Sequence, residues 1–131
     1  MDKKLKIAIT ITLIFLIIIG VYGLYISLTT EQYTIYVGLN DKDQNKQIMS
    51  TSEAIKTVDG IFINNSVDFT RFEGKGEFKF NNSEYFENSL IYEVYGEDRE
   101  SIQNISSQIC KQLNQKCVLI KYERCFSTFY N

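Results

Sequence analysis

The residues able to do chemistry are few and scattered. Asp41-Lys42-Asp43-Gln44-Asn45 sets hard oxygen donors at alternate positions, the D-x-D-x-N start of a calcium loop. The motif then departs from the pattern. Lys46 stands where the sharp turn needs glycine, and Ser52 stands where a bidentate glutamate should close the loop. Asp41, Asp43 and Asn45 are thus an incomplete metal loop, with a solvated polar loop as the competing reading. Three cysteines follow: Cys110, Cys117 and Cys125. In an oxidising compartment one pair among them can form a disulfide and leave one thiol over, and the three pairings stay open. Cys110 falls near the end of the last expected helix and Cys117 opens the next expected strand, so these two can approach. No CxxC motif supports redox catalysis, and small buried apolar residues are the competing reading. Glu84 and Glu87, or Glu97, Asp98 and Glu100, are acidic groups that nothing in the sequence places in one cleft, so surface solvation is the default.

Composition excludes more than it assigns. The chain has no histidine, which removes Ser-His-Asp and Cys-His catalysis, His-containing zinc sites and the usual pH switch. No catalytic residue, cofactor-binding residue or cofactor is expected. Net charge is −2, without the basic footprint of a nucleic-acid binder. From Thr29 onward there are 11 basic and 15 acidic residues, a net charge of −4, so this part is repelled by anionic lipid and polymers. Abundant Ile, Asn and Lys match an AT-rich bacterial genome. The sequons at Asn64, Asn81 and Asn104 then carry no glycosylation meaning.

These groups must be positioned by two kinds of element. Residues 7–28, IAITITLIFLIIIGVYGLYISL, hold no charge over 22 residues. As a helix this run is about 33 Å long, enough for a hydrocarbon core of about 30 Å. Tyr22 and Tyr25 suit an aromatic belt at its outer end, and Lys3, Lys4 and Lys6 hold the preceding tail, residues 1–6, on the cytoplasmic side. The expectation is a single-pass anchor in the cell membrane with residues 29–131 outside the cytoplasm. A cleaved signal peptide ending at Val21-Tyr22-Gly23 is the alternative, opposed by a run longer than a signal core needs. Gly20 and Gly23 do not form a GxxxG pair, so helix-driven dimerisation has no motif.

After a link over residues 29–32, alternation predicts a strand at 33–39 and a polar loop at 40–47. Ser50-Thr51-Ser52-Glu53 has the capping-box form. A helix should follow on Ile55, Val58 and Phe62, ending at Val58 or reaching Asn64, since Asp59-Gly60 weakens it. Residues 67–87 read as hairpin material with turns at Gly74-Lys75-Gly76 and Asn81-Asn82-Ser83. SLIYEVY at 89–95 is a strand. Asp98 caps a helix over 99–113 with an Ile102, Ile105, Ile109, Leu113 stripe, Asn114 can take the left-handed cap, and CVLIKYE at 117–123 closes as a strand. The order β-α-β-β-α-β predicts an α+β, ferredoxin-like domain with an antiparallel sheet, a fold that hosts many functions. Tyr85, Phe86, Tyr92, Tyr95, Tyr122, Phe126, Phe129 and Tyr130 suit either a binding groove or, in a chain without Trp, the core. The terminal FSTFYN is expected to pack back on the domain.

YTIYVGLNDKD at 33–43, NSLIYEVYG at 88–96, the helix ending LNQ at 113–115 and the terminal Phe129-Tyr130 resemble a family of small bacterial membrane-anchored or secreted proteins known as a domain of unknown function. The likeness covers about two thirds of the part after the anchor, and residues 60–85 depart from it. The family brings no activity to transfer. The expectation is a non-enzymatic accessory protein of the bacterial envelope, with the bilayer and another envelope protein as partners. The alternative is a ligand-binding ectodomain, or a secreted domain after signal cleavage.

Overall fold

The computed structural model describes residues 2–80 and 83–127. The chain divides into two compact units, Glu31–Glu123 and Met1–Thr30 with Arg124–Asn131. Asn81 and Asn82 of the second expected turn, and Thr128–Asn131 of the aromatic terminus, lie outside the described residues; Phe126 is exposed.

Helix α1 spans Lys3–Leu28, capped at its start by Asp2. None of its residues is buried, and among the described residues it is the one helix long and apolar enough to cross a membrane. Its hydroxyls bond back to its own carbonyls: Thr10 to Lys6 O at 3.0 Å, Thr12 to Ala8 O at 3.0 Å and Ser27 to Leu24 O at 2.9 Å. Such back-bonding satisfies these three hydroxyls within the helix itself. Strand β1, Thr30–Gly38, starts one residue after the helix, so the expected link shrinks to Thr29.

The remaining elements are α2 (Thr51–Asn64), β2 (Thr70–Phe80), β3 (Ser83–Tyr95), α3 (Arg99–Gln112) and β4 (Leu119–Cys125), and the sheet order is β2-β3-β1-β4. β3 pairs antiparallel with both β1 and β2. The expected β-α-β-β-α-β order holds, but the strands of its hairpin are longer than the pattern suggests. Gly74-Lys75-Gly76 makes no turn; it continues β2, opposite Ser89, Asn88 and Glu87. Glycine serves close approach there, since a Cβ on Gly74 would lie 2.9 Å from Ser89 Oγ and 3.3 Å from Ile91 Cδ1. β4 begins at Leu119, so Cys117 precedes the strand it was expected to open.

The alternation works as read. Tyr33, Ile35 and Val37 of β1 and Leu90, Tyr92 and Val94 of β3 face the helices and are buried. They meet Ala54, Val58, Ile61 and Phe62 of α2 and Ile102, Ile105 and Ile109 of α3 in one core. Helix α2 keeps its capping box, with Glu53 N bonded to Ser50 Oγ and Ser50 N bonded to Glu53 Oε2. It also runs through Asp59-Gly60 to Asn64. Tertiary bonding outweighs the glycine penalty: Tyr92 Oη donates to Asp59 Oδ1 at 2.7 Å, and Arg71 Nε lies 3.4 Å from the same oxygen. Tyr92 stacks on Phe62 with ring centroids 4.7 Å apart, and Phe69 lies edge-on to Tyr92 at 5.3 Å.

Tyr92→Phe keeps these ring contacts and removes the hydroxyl from a half-buried carboxylate. It should cost about 1–2 kcal/mol in urea unfolding. A change within about 0.5 kcal/mol would show that the bond contributes little.

Candidate functional site

The incomplete calcium loop folds as a closed polar hairpin. Asn40 and Gln47 bridge its ends, Asp41 N donates to Lys46 O at 3.0 Å, and Asn45 takes the left-handed conformation at φ 50°. Asp41 Oδ1 accepts from Asp43 N at 2.9 Å and Gln44 N at 3.0 Å, an Asx turn. A residue far along the chain completes the arrangement. Asn114, left-handed after α3 as expected, donates Nδ2 to Asp41 Oδ2 at 2.7 Å and to Asp43 Oδ2 at 2.8 Å. Lys42 N returns a bond to Asn114 O at 3.1 Å, and Lys42 Nζ pairs with Asp43 at 3.0 Å. The carboxylates offered to a cation are thus held by an amide, backbone N–H groups and an ammonium. The Asn114 amide above all holds both carboxyls below the usual range. Among the described residues no group of three or more Cys, Asp or Glu forms a metal cluster.

Beside this clamp lies a cavity of about 610 Å³, with Leu39, Met49, Ala54 and Leu113 as its apolar lining and Glu53, Lys56 and Gln112 among its polar groups. A second cavity, of about 410 Å³, is lined by Glu31, Tyr33, Arg99, Ile102, Gln103, Ile120 and Tyr122. Here Tyr33 Oη donates to Glu31 Oε2 at 3.1 Å and Tyr122 Oη to Glu31 Oε1 at 3.4 Å, with the two ring centroids 5.1 Å apart. Burial, reinforced by the Glu31 carboxylate, pushes the Tyr33 phenol from its ordinary 10 to about 12. Tyr92 is shifted upward too, by burial and then by Asp59.

The other candidates separate. Asp98 caps α3 by accepting from Ser101 N at 2.7 Å, and Glu87 Oε1 accepts from Asn40 N at 3.1 Å. Two of the acidic groups are therefore committed to backbone N–H groups. The three cysteines are free thiols: Cys110 half-buried, Cys117 exposed, and Cys125 half-buried in the unit that holds α1. Of the aromatics weighed as a groove, Tyr92 is core, while Phe86, Tyr95, Tyr122 and Phe126 are exposed. The face of the sheet away from the helices carries Phe72, Ile91 and Tyr36 in one cross-strand row, with Phe72 49% and Tyr36 36% exposed. Two features go beyond the expectations drawn from the sequence. Asp59, four residues after Ile55 on an apolar stripe, was a legible sign of a buried polar bond. The reach of Asn114 back to Asp41 had no local signal.

No family model and no curated protein matches the chain. Solved structures do. A phage SAM lyase in complex with S-methyl-5'-thioadenosine is 16% identical with a TM-score of 0.55, covering 78% of this chain and 93% of that one. The periplasmic divalent cation tolerance protein CutA from Archaeoglobus fulgidus is 11% identical with a TM-score of 0.51, covering 75% and 87%. The fold is ferredoxin-like. At these identities the likeness carries the fold alone.

Asn114→Gly keeps the left-handed backbone and removes the amide. The Asp41 and Asp43 carboxyls should then titrate closer to the usual range by NMR; unchanged titrations would contradict the clamp. At the alkaline end, Tyr33 and Tyr92 titrate near 10 when unfolded and higher when folded. Their contribution to stability is full below about pH 10 and is lost as pH rises to about 12 and beyond. Tyr33→Phe should make the fall in urea midpoint above pH 10 shallower, and an unaltered slope would remove Tyr33 from this role.

Proposed function

We propose that this chain is a single-pass, membrane-anchored accessory protein of the bacterial cell envelope, its ferredoxin-like domain lying outside the cytoplasm and binding another envelope protein without catalysis. The observation that carries this reading is the state of α1. The helix is exposed along its whole length, its Thr10, Thr12 and Ser27 hydroxyls are satisfied internally, and it runs unbroken through Val21-Tyr22-Gly23, where a signal peptide would be cut. Its outer end is also held. Thr29 Oγ1 donates to Tyr25 O at 2.8 Å. Arg124 donates through Nε to Thr29 Oγ1 at 3.0 Å and through Nη2 to Thr29 O at 3.0 Å and Ile26 O at 3.3 Å. A guanidinium on the last carbonyls suits the negative end of the helix dipole. Lys3, Lys4 and Lys6 at the other end support an N-terminus in the cytoplasm.

The surface that supports partner binding is the row of Phe72, Ile91 and Tyr36, apolar groups in water on an otherwise acidic domain. A ligand-binding ectodomain is the second reading, favoured by the 610 Å³ cavity and its apolar lining.

Crosslinking of the full-length protein in its native membrane, read by mass spectrometry, should yield one reproducible envelope partner. Phe72→Glu, at an exposed position, should leave stability within about 0.5 kcal/mol and cut that crosslink severalfold. A crosslink unaffected by Phe72→Glu would move the interface elsewhere. Absence of any partner, with small-molecule protection of the cavity, would favour the second reading.

A further inference from the structure

We infer that Cys110 and Cys117 are a thiol–disulfide exchange pair that closes across the turn between α3 and β4, with Cys125 taking no part. Helix α3 ends at Gln112 and the chain reverses through left-handed Asn114. Gln115 N then donates to Cys110 O at 2.9 Å, which draws the turn back over the last turn of the helix. Cys117 follows two residues later, ahead of β4. Both cysteines line a single open groove of about 870 Å³, together with Lys111, Lys116 and Val118. The two thiols differ in access, with Cys117 exposed and Cys110 half-buried. Burial above all pushes the Cys110 thiol up, and the charge of a neighbouring Cys117 thiolate pushes the same way. Cys125 instead points its sulfur at Thr30 O, 3.8 Å away, in the other unit.

This asymmetry assigns the order of steps. The exposed Cys117 thiolate attacks one sulfur of an incoming disulfide, such as glutathione disulfide, and releases one thiol that takes up a proton. The Cys110 thiolate then attacks the Cys117 sulfur of the mixed disulfide, forms the intramolecular S–S bond and releases the second thiol. Two cysteine thiols are oxidised and one external disulfide is reduced to two thiols. Lys111 and Lys116 on the groove suit an anionic oxidant such as glutathione disulfide. The pairing stands whichever compartment holds the domain; only accumulation of the oxidised form in cells rests on the envelope reading.

The test uses the full chain in detergent micelles. It is treated with glutathione disulfide, blocked with N-ethylmaleimide, and digested without reduction for mass spectrometry. The expected product is a Cys110–Cys117 linked peptide with Cys125 alkylated, and a Tm higher by roughly 5–10 °C in the oxidised chain. Cys125→Ser should behave like the parent, and Cys117→Ser should leave Cys110 without an intramolecular link. A chain that stays fully alkylated, that carries separate glutathione adducts on Cys110 and Cys117, or whose link includes Cys125, would overturn the pairing.

Discussion

The domain depends on the alternation of β1 and β3. These two central strands pair from Gln32 opposite Tyr95 to Gly38 opposite Ser89. That register puts Tyr33, Ile35, Val37, Leu90, Tyr92 and Val94 on the face that meets the helices. A slip of β1 by one residue would send Tyr33, Ile35 and Val37 to the open face and turn Thr34 and Tyr36 toward the helices. The helices answer this surface with their own stripes, and the Asp59–Tyr92 bond ties α2 to β3 at one polar point within it. Because Tyr92 is wholly buried and stacked on Phe62, the packing and the hydrogen bond support the same register.

Polar side chains are satisfied in two different ways along this chain. In the domain, hydroxyls and amides bond across elements: Asn114 to Asp41 and Asp43, Gln115 to Asn40, Asn88 to Gln47. In α1, Thr10, Thr12 and Ser27 bond back along the helix, the pattern that a helix in lipid requires. Arg124 sits on the carbonyls that end the helix. The residues that cap this long apolar helix thus include one from β4.

Much of this was legible in the sequence because its causes are local. The capping box at Ser50, the Asp98 cap, the left-handed Asn114 and the Ile102–Leu113 stripe all report on residues a few positions apart. Where the pattern misled or left a choice open, distant residues decide. Gly74 and Gly76 look like turn residues, yet both continue β2, and the missing Cβ of Gly74 makes room for Ser89 of β3. Asp59-Gly60 looks like a helix end, yet Tyr92 and Arg71 hold it inside. The D-x-D-x-N loop reads as an incomplete cation motif or a solvated loop, and an amide over seventy positions away holds its carboxylates. The candidate site was legible as residues, and its wiring was not.

The central claim is that α1 stays attached as a membrane anchor. Intact-mass measurement of the protein extracted from native membranes after an alkaline carbonate wash tests it most directly. The account predicts a carbonate-resistant chain whose mass includes α1. A mature chain beginning near Leu24, recovered in the soluble fraction, would contradict it.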